Sequence, residues 1–240
     1  MIADADHAVL YFLNGLALKS WSFDVLIQLL ERNMLVKGGV IVTVYWFLWF
    51  HRDAESEVRE RRKTLIASVI GTFAGLMITI ILTIVLPMRL RPVHDPSLHL
   101  LVPNGVETIL KGYGSFPSDT ATLAGGLTMG IFLVSRRIGI FVLAFVLAMI
   151  LVPRVYLGLH YPSDILAGIL IGAVSVVAAQ TSAIRNVFAD KLLSLSERYP
   201  GWAYALLFFI AYQMGSLFLD LRDIGTTGLM ILEKIAHRMV

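Results

Sequence analysis

The stretch T-L-I-A-S-V-I-G-T-F-A-G-L-M-I-T-I-I-L-T-I-V-L, residues 64–86, decides the fold class. It contains no charged residue. A helix rises about 1.5 Å per residue, so roughly 20 apolar residues cross a hydrocarbon core about 30 Å thick. Working outward, further apolar runs lie at 34–50, 118–134, 137–153, 162–180 and 202–220. The pattern predicts an all-α fold: a polytopic membrane bundle of about six transmembrane helices in one integral domain, 1–240. Composition points the same way, with 57% hydrophobic and 15% charged residues. Soluble domains carry about 45–50% and about 25%. There is no cysteine, which excludes disulfides and thiolate metal sites.

Two terminal segments are mixed in character. In residues 1–33, Leu10, Phe12, Leu13 and Leu16 alternate with Asn14, Lys19 and Asp24, the pattern of a helix lying in the membrane interface. The tail 223–240 reads the same way. Lys37, near the start of the first span, is expected to snorkel to the headgroups.

The net charge of +3 comes from basic residues in the links between apolar runs, so it reports topology and not nucleic-acid binding. Arg52, Arg59, Arg61, Arg62 and Lys63 in the loop 51–63, Arg136 and Arg137 in the turn 135–137, and Arg185, Lys191 and Arg198 in the segment 181–200 fall on one face. The positive-inside bias makes that face cytoplasmic. The other face holds the loop 87–117 and the link 153–161. Its basic residues are Arg89, Arg91, Lys111 and Arg154. This reading predicts an integral protein of the bacterial inner (plasma) membrane with its chemistry on the extracytoplasmic side.

Three groups on that face carry chemical potential. Arg91 precedes Pro92, which holds its backbone extended, and Arg89 lies two residues back. A guanidinium fork matches phosphate oxygens in pairs. Next comes G-Y-G-S-F-P-S-D-T, residues 112–120. Its glycines allow a tight turn, and Pro117 suits the first turn of a helix whose free N–H groups bind anions. Ser118, Asp119 and Thr120 sit there, and each alone also reads as helix capping. The third group is Arg154, His160 and Asp164. His160 and Asp164 are four apart and meet if a helix begins near 160. A carboxylate on one ring nitrogen leaves the other free to attack.

In order and on one face, R-P, F-P-S-D-T and R-x5-H-x3-D resemble the three-part signature of the type 2 phosphatidic-acid phosphatase family, over about residues 64–180. The resemblance implies His160 as the nucleophile that forms a phosphohistidine and Asp164 as its orienting partner. It implies Arg91, Arg154 and Ser118 as the phosphate holders, with Arg89 assisting, and neither metal nor other cofactor. The sequence departs from the pattern at three positions. Ile84 replaces the first motif's lysine, and Pro153 replaces a serine. Thr120 stands where the second motif has the histidine that protonates the leaving group.

A positioned general acid contributes about 10²–10⁴-fold. Its loss matters most for an alkoxide leaving group and least for a phosphate one. His94, His99 and Asp119 are candidate substitute acids, and Arg89, Lys37 or Arg32 are candidate substitutes for the missing lysine. The resulting expectation is a phosphatase or phosphotransferase acting on a lipid phosphate or pyrophosphate, with polyprenyl pyrophosphate preferred. Its alternative is a non-catalytic relative that binds lipid phosphates or partner proteins. Beyond substrate and membrane lipids no partner is implied, and oligomeric state is not encoded in any motif.

Overall fold

A computed structural model describes residues 2–104 and 114–218. Residues 105–113, which include Lys111, and the chain from 219 onward, which includes the tail 223–240, lie outside the described residues. The described residues form helices joined by short links. These are α1 (Ile2–Asn14), α2 (Trp21–Arg32), α3 (Val40–Phe50), α4 (Glu55–Val85), α5 (Asp119–Val134), α6 (Arg136–Phe145), α7 (Val152–Tyr156), α8 (Pro162–Ala179), α9 (Asp190–Arg198) and α10 (Pro200–Gly215). π-helical turns at Leu35–Gly39, Val146–Leu151 and Ala183–Ala189 lead into α3, α7 and α9.

Helices α4, α5 and α8 pack pairwise as the core of the bundle. Each carries two glycines four residues apart: Gly71 and Gly75, Gly126 and Gly130, Gly168 and Gly172. In lipid no hydrophobic drive separates helices from their surroundings, so small residues that admit close backbone contact set the interfaces. A Cβ at Gly172 would collide with the Thr122 carbonyl, and one at Gly168 with the Ser118 carbonyl. Thr79 and Thr122 add a hydroxyl–hydroxyl bond of 2.8 Å between α4 and α5. Tyr45 donates to the Leu127 carbonyl at 3.0 Å, tying α3 to α5. The sequence reading missed these glycine pairs, although their spacing is visible in the chain.

The membrane-bundle class holds, but the details differ. Among the described residues, three spans are long and apolar enough to cross a membrane: α4, the continuous Arg136–Tyr156, and α8. A fourth arises if α2 and Leu35–Phe50, bent by 61°, form one broken span. The shorter α5 has most of its length buried in the core, because it contacts α4, α6 and α8. The expected loop 51–63 is mostly helix: α4 begins at Glu55, so Arg59 to Lys63 lie on its first turns. Lys37 does not snorkel. It is buried, and its ammonium bonds Glu31 at 2.9 Å.

The N-terminal segment is more than a surface helix. Along α1 the buried positions are Asp6, Leu10 and Asn14, while Val9, Tyr11 and Phe12 face outward. The polar side is turned in because each polar residue has a partner there. Asn14 bonds both backbone groups of Leu101, and Asp24 of α2 accepts from Asn104 and Tyr156.

Candidate active site

Four backbone segments meet at one end of the bundle: the end of α4 with the link that follows, the start of α5, the end of α7, and the start of α8. Backbone bonds knit them. Ser115 N donates to Arg89 O at 2.8 Å, Val93 N to Gly158 O at 2.9 Å, and Ser118 N to Asp164 O at 3.1 Å. The loop after α4 is thereby clamped between the 114–118 segment and the 157–161 link. The predicted motif residues lie on these segments, far from the basic turns at the opposite end.

His160 is 2% exposed. Its Nδ1 lies 2.8 Å from the Ser115 carbonyl oxygen. A carbonyl can only accept, so Nδ1 carries the proton and neutral Nε2 keeps its lone pair. Nε2 is buried and has no hydrogen-bond partner among the described residues. Burial pushes the imidazole below its ordinary pKa, opposed by the Asp164 carboxylate and reinforced by Arg154 and Arg91. His160 is therefore neutral near pH 7.

Asp164 relates to His160 differently from the expectation. Helix α8 starts at Pro162 with Asp164 in its first turn, and the Asp164 carboxylate caps it by accepting from Tyr161 N at 2.8 Å. Its Oδ2 is 3.8 Å from His160 Nδ1, an ion-pair distance and not a hydrogen bond. The Ser115 carbonyl, which no motif reading singled out, holds the ring. Asp164 is fully buried, and its Oδ1 accepts from Arg89 at 2.6 Å.

Arg89 is engaged on both terminal nitrogens. One bonds Asp164 and Ser163, the other Asp6 at 2.8 Å, and the guanidinium stacks 3.8 Å over the Tyr161 ring. Asp6 closes the network by accepting from Ser163 N and Oγ. Burial raises the Asp6 carboxyl pKa, but the bonds from Ser163 and Arg89 outweigh it and hold the carboxyl below the usual range. The expected phosphate holder Arg89 thus sits between two carboxylates.

Arg91 and Arg154 act electrostatically on His160. Arg91 Nη1 donates to the Leu159 carbonyl at 3.2 Å. Arg154 is 6% exposed, donates to Glu31 at 3.1 Å, and leaves its buried Nε without a hydrogen-bond partner among the described residues. Ser118 is the N-cap of α5, accepting from Ala121 N at 3.4 Å, so Pro117 precedes the helix and does not occupy its first turn. Thr120 is buried, with its N–H and hydroxyl on Asp119 Oδ1 at 2.6 and 3.2 Å. Asp119 also exerts its charge on His160. His94 lies on the 3₁₀ turn just past Arg91. Sequence reasoning missed Asp6, Ser115 and Glu31, each of which has a site partner distant in the chain.

A family model described as the PAP2 superfamily matches residues 63–187. The bacitracin transport permease protein BcrC of Bacillus licheniformis is 24% identical over 190 residues, covering 78% of this chain and 85% of that protein. No solved structure matches the chain.

Proposed function

The chain belongs to the PAP2 superfamily, a membrane phosphatase-type lipid-phosphate family, and on that premise we propose that it is a phosphatase or phosphotransferase using His160 as its nucleophile on a lipid-linked pyrophosphate. The observation that carries the reading is His160 itself: a neutral, buried imidazole with Nδ1 pinned on a carbonyl, Nε2 unpartnered, and two arginines acting on it.

In the first step Nε2 bonds to phosphorus, and the bridging P–O bond breaks with its electron pair on the leaving phosphate. Arg91, Arg154 and the start of α5 at Ser118 hold the phosphoryl oxygens. Asp164 stabilises the positive charge that develops on the ring, and Arg89, with Asp6, fixes Asp164. In the second step water, or an acceptor hydroxyl, attacks phosphorus. The N–P bond returns its pair to Nε2, and the proton of the attacking oxygen passes to Asp119 or to solvent. With Thr120 in the acid position, a polyprenyl pyrophosphate is favoured over a monophosphate, because a phosphate leaves without needing a proton. The positive-inside bias assigns this end to the extracytoplasmic face.

The test is phosphate release by purified protein in detergent across a panel of lipid monophosphates and pyrophosphates. His160→Ala should lose all turnover, together with the acid-labile phosphoryl adduct of the parent protein. Full activity in His160→Ala ends the mechanism. No release from any donor, with or without acceptors, leaves the non-catalytic alternative. For orientation, an impermeant thiol reagent on intact cells should label Ser97→Cys and spare Ser56→Cys.

A further inference from the structure

Arg154 also belongs to a charge cluster whose other members, Glu31 and Lys37, no motif accounts for. Glu31 is in the last turn of α2, and Lys37 lies six residues on, across the 61° bend, in the π-helical turn Leu35–Gly39. One oxygen, Glu31 Oε1, accepts from Lys37 Nζ at 2.9 Å and from Arg154 Nη1 at 3.1 Å. Two cations, 8% and 6% exposed, thus converge on a single anionic oxygen. Lys37 also feels the charges of Arg154 and Asp119, so it belongs to the electrostatics of the site.

A lone ammonium in an apolar span is costly, and such groups mark function when they face a cavity or a partner. π-helical turns recur at functional positions, and here one carries Lys37 while another leads into α7, which carries Arg154.

We infer that Lys37 and Arg154 form a second phosphoryl-binding position, the seat of the leaving phosphate, which the Glu31 carboxylate occupies until substrate displaces it. The inference rests on the catalytic reading above. Arg154 is shared: it acts on His160 and it binds Glu31. A pyrophosphate laid along His160, Arg154 and Lys37 places its attacked phosphoryl at the ring and its departing one at the ammonium. When the bridging bond breaks, the electron pair goes to the departing phosphate. Lys37 supplies fixed positive charge there and gives up no proton. That compensates for two of the three departures from the family pattern, the absent lysine at Ile84 and the absent acid at Thr120. Displaced Glu31 turns outward, where its side chain is already 18% exposed.

The experiment measures binding of inorganic pyrophosphate and inorganic phosphate to the full chain in detergent, by calorimetry or by thermal protection. The parent protein should prefer pyrophosphate. Lys37→Met should weaken pyrophosphate about 10- to 100-fold, the value of a charge-assisted hydrogen bond, and weaken phosphate less. Lys37→Arg should retain the preference. Glu31→Gln should tighten pyrophosphate, because a neutral amide competes poorly for the two cations. If Lys37→Met does not fold, the double variant Lys37→Gln with Glu31→Gln removes both charges together and should likewise lose the preference. An equal loss for both anions, an unchanged pyrophosphate affinity, or weaker binding in Glu31→Gln overturns the inference. Because the readout is binding, an inert protein whose Lys37 still selects pyrophosphate defeats only the catalytic reading. An active protein indifferent to Lys37 defeats only this one.

Discussion

The two ends of the bundle handle charge in opposite ways. At the basic end, Arg59 pairs with Asp190 and Glu197, Lys63 with Glu60 and Asp190, and Arg185 with Glu60, and although Lys63 is largely covered, the carboxylates of these pairs are 35–67% exposed. At the motif end, Asp6, Asp164, Arg154, Lys37 and His160 are buried, and each leans on partners from other helices or links. Exposed pairs are screened by water and salt and contribute little. Buried charges are expensive to bring in and more expensive to orphan. Such an arrangement supplies oriented charge in a site of low dielectric, which is where electrostatic catalysis gains most.

The sharpest way to break this contrast is to remove one carboxylate at each end. Asp164→Ala removes one of the two carboxylates that hold Arg89 and uncaps α8, and should cost up to about 3–5 kcal/mol, the range for breaking a buried pair. Asp190→Ala removes a half-buried partner and should shift the thermal midpoint far less. Equal shifts in detergent melts would show that the two ends are not different in kind.

A smaller effect probes packing. Gly172→Ala forces a methyl into the Thr122 carbonyl, and overpacking of this sort costs about 1–3 kcal/mol. Gly201, at the other end, has open space where a methyl would stand, with nothing within 4 Å. Gly201→Ala should leave the midpoint unchanged or raise it. A Gly172→Ala protein as stable as the parent would mean that α5 and α8 part easily.

The next effect appears in pH dependence. The folded-state pKa of His160 lies below its unfolded value. Neutral His160 therefore favours the folded state above the unfolded pKa, and that contribution is lost as pH falls toward the folded value. The acid limb of kcat/KM, which reports the free enzyme, should fall below the ordinary histidine value of about 6.5. An acid limb at or above that value would place His160 in a solvated or anion-dominated setting, against the burial described.

The smallest expected effect is that of Arg59→Ala. It removes a part-buried contact to Asp190 and exposed ones to Glu197 and Ser194. Any loss of stability should vanish at high salt, and phosphate release should not change. A change in turnover would connect the two ends, which the contrast does not allow.

The parts legible in the chain share one property: their signal is local or periodic. Apolar runs announced the bundle because the hydrocarbon core demands unbroken helices. Arg91, Ser118, Arg154, His160 and Asp164 were legible as short motifs, and the odd–even order of the spans was enough to gather them at one end. Reading the N-terminal segment as a surface helix rested on Leu10, Phe12, Leu13 and Leu16 alternating with Asn14, Lys19 and Asp24, and missed that Asp6, Asn14 and Asp24 point inward. Hydropathy cannot tell a polar residue facing water from one facing a partner.

By itself, the sequence determined the membrane class, the family signature and the order in which the motifs return to one end, because period, length and spacing encode these. Only the tertiary structure decided that Ser115, and not Asp164, hydrogen-bonds the His160 ring; that Arg89 stands between Asp6 and Asp164; and that Lys37 and Arg154 share Glu31. The Arg89–Asp6 and Arg154–Glu31 contacts join positions 83 and 123 residues apart. Nothing local in the chain records such a pairing, because it exists only once the helices close and each buried charge must find a partner.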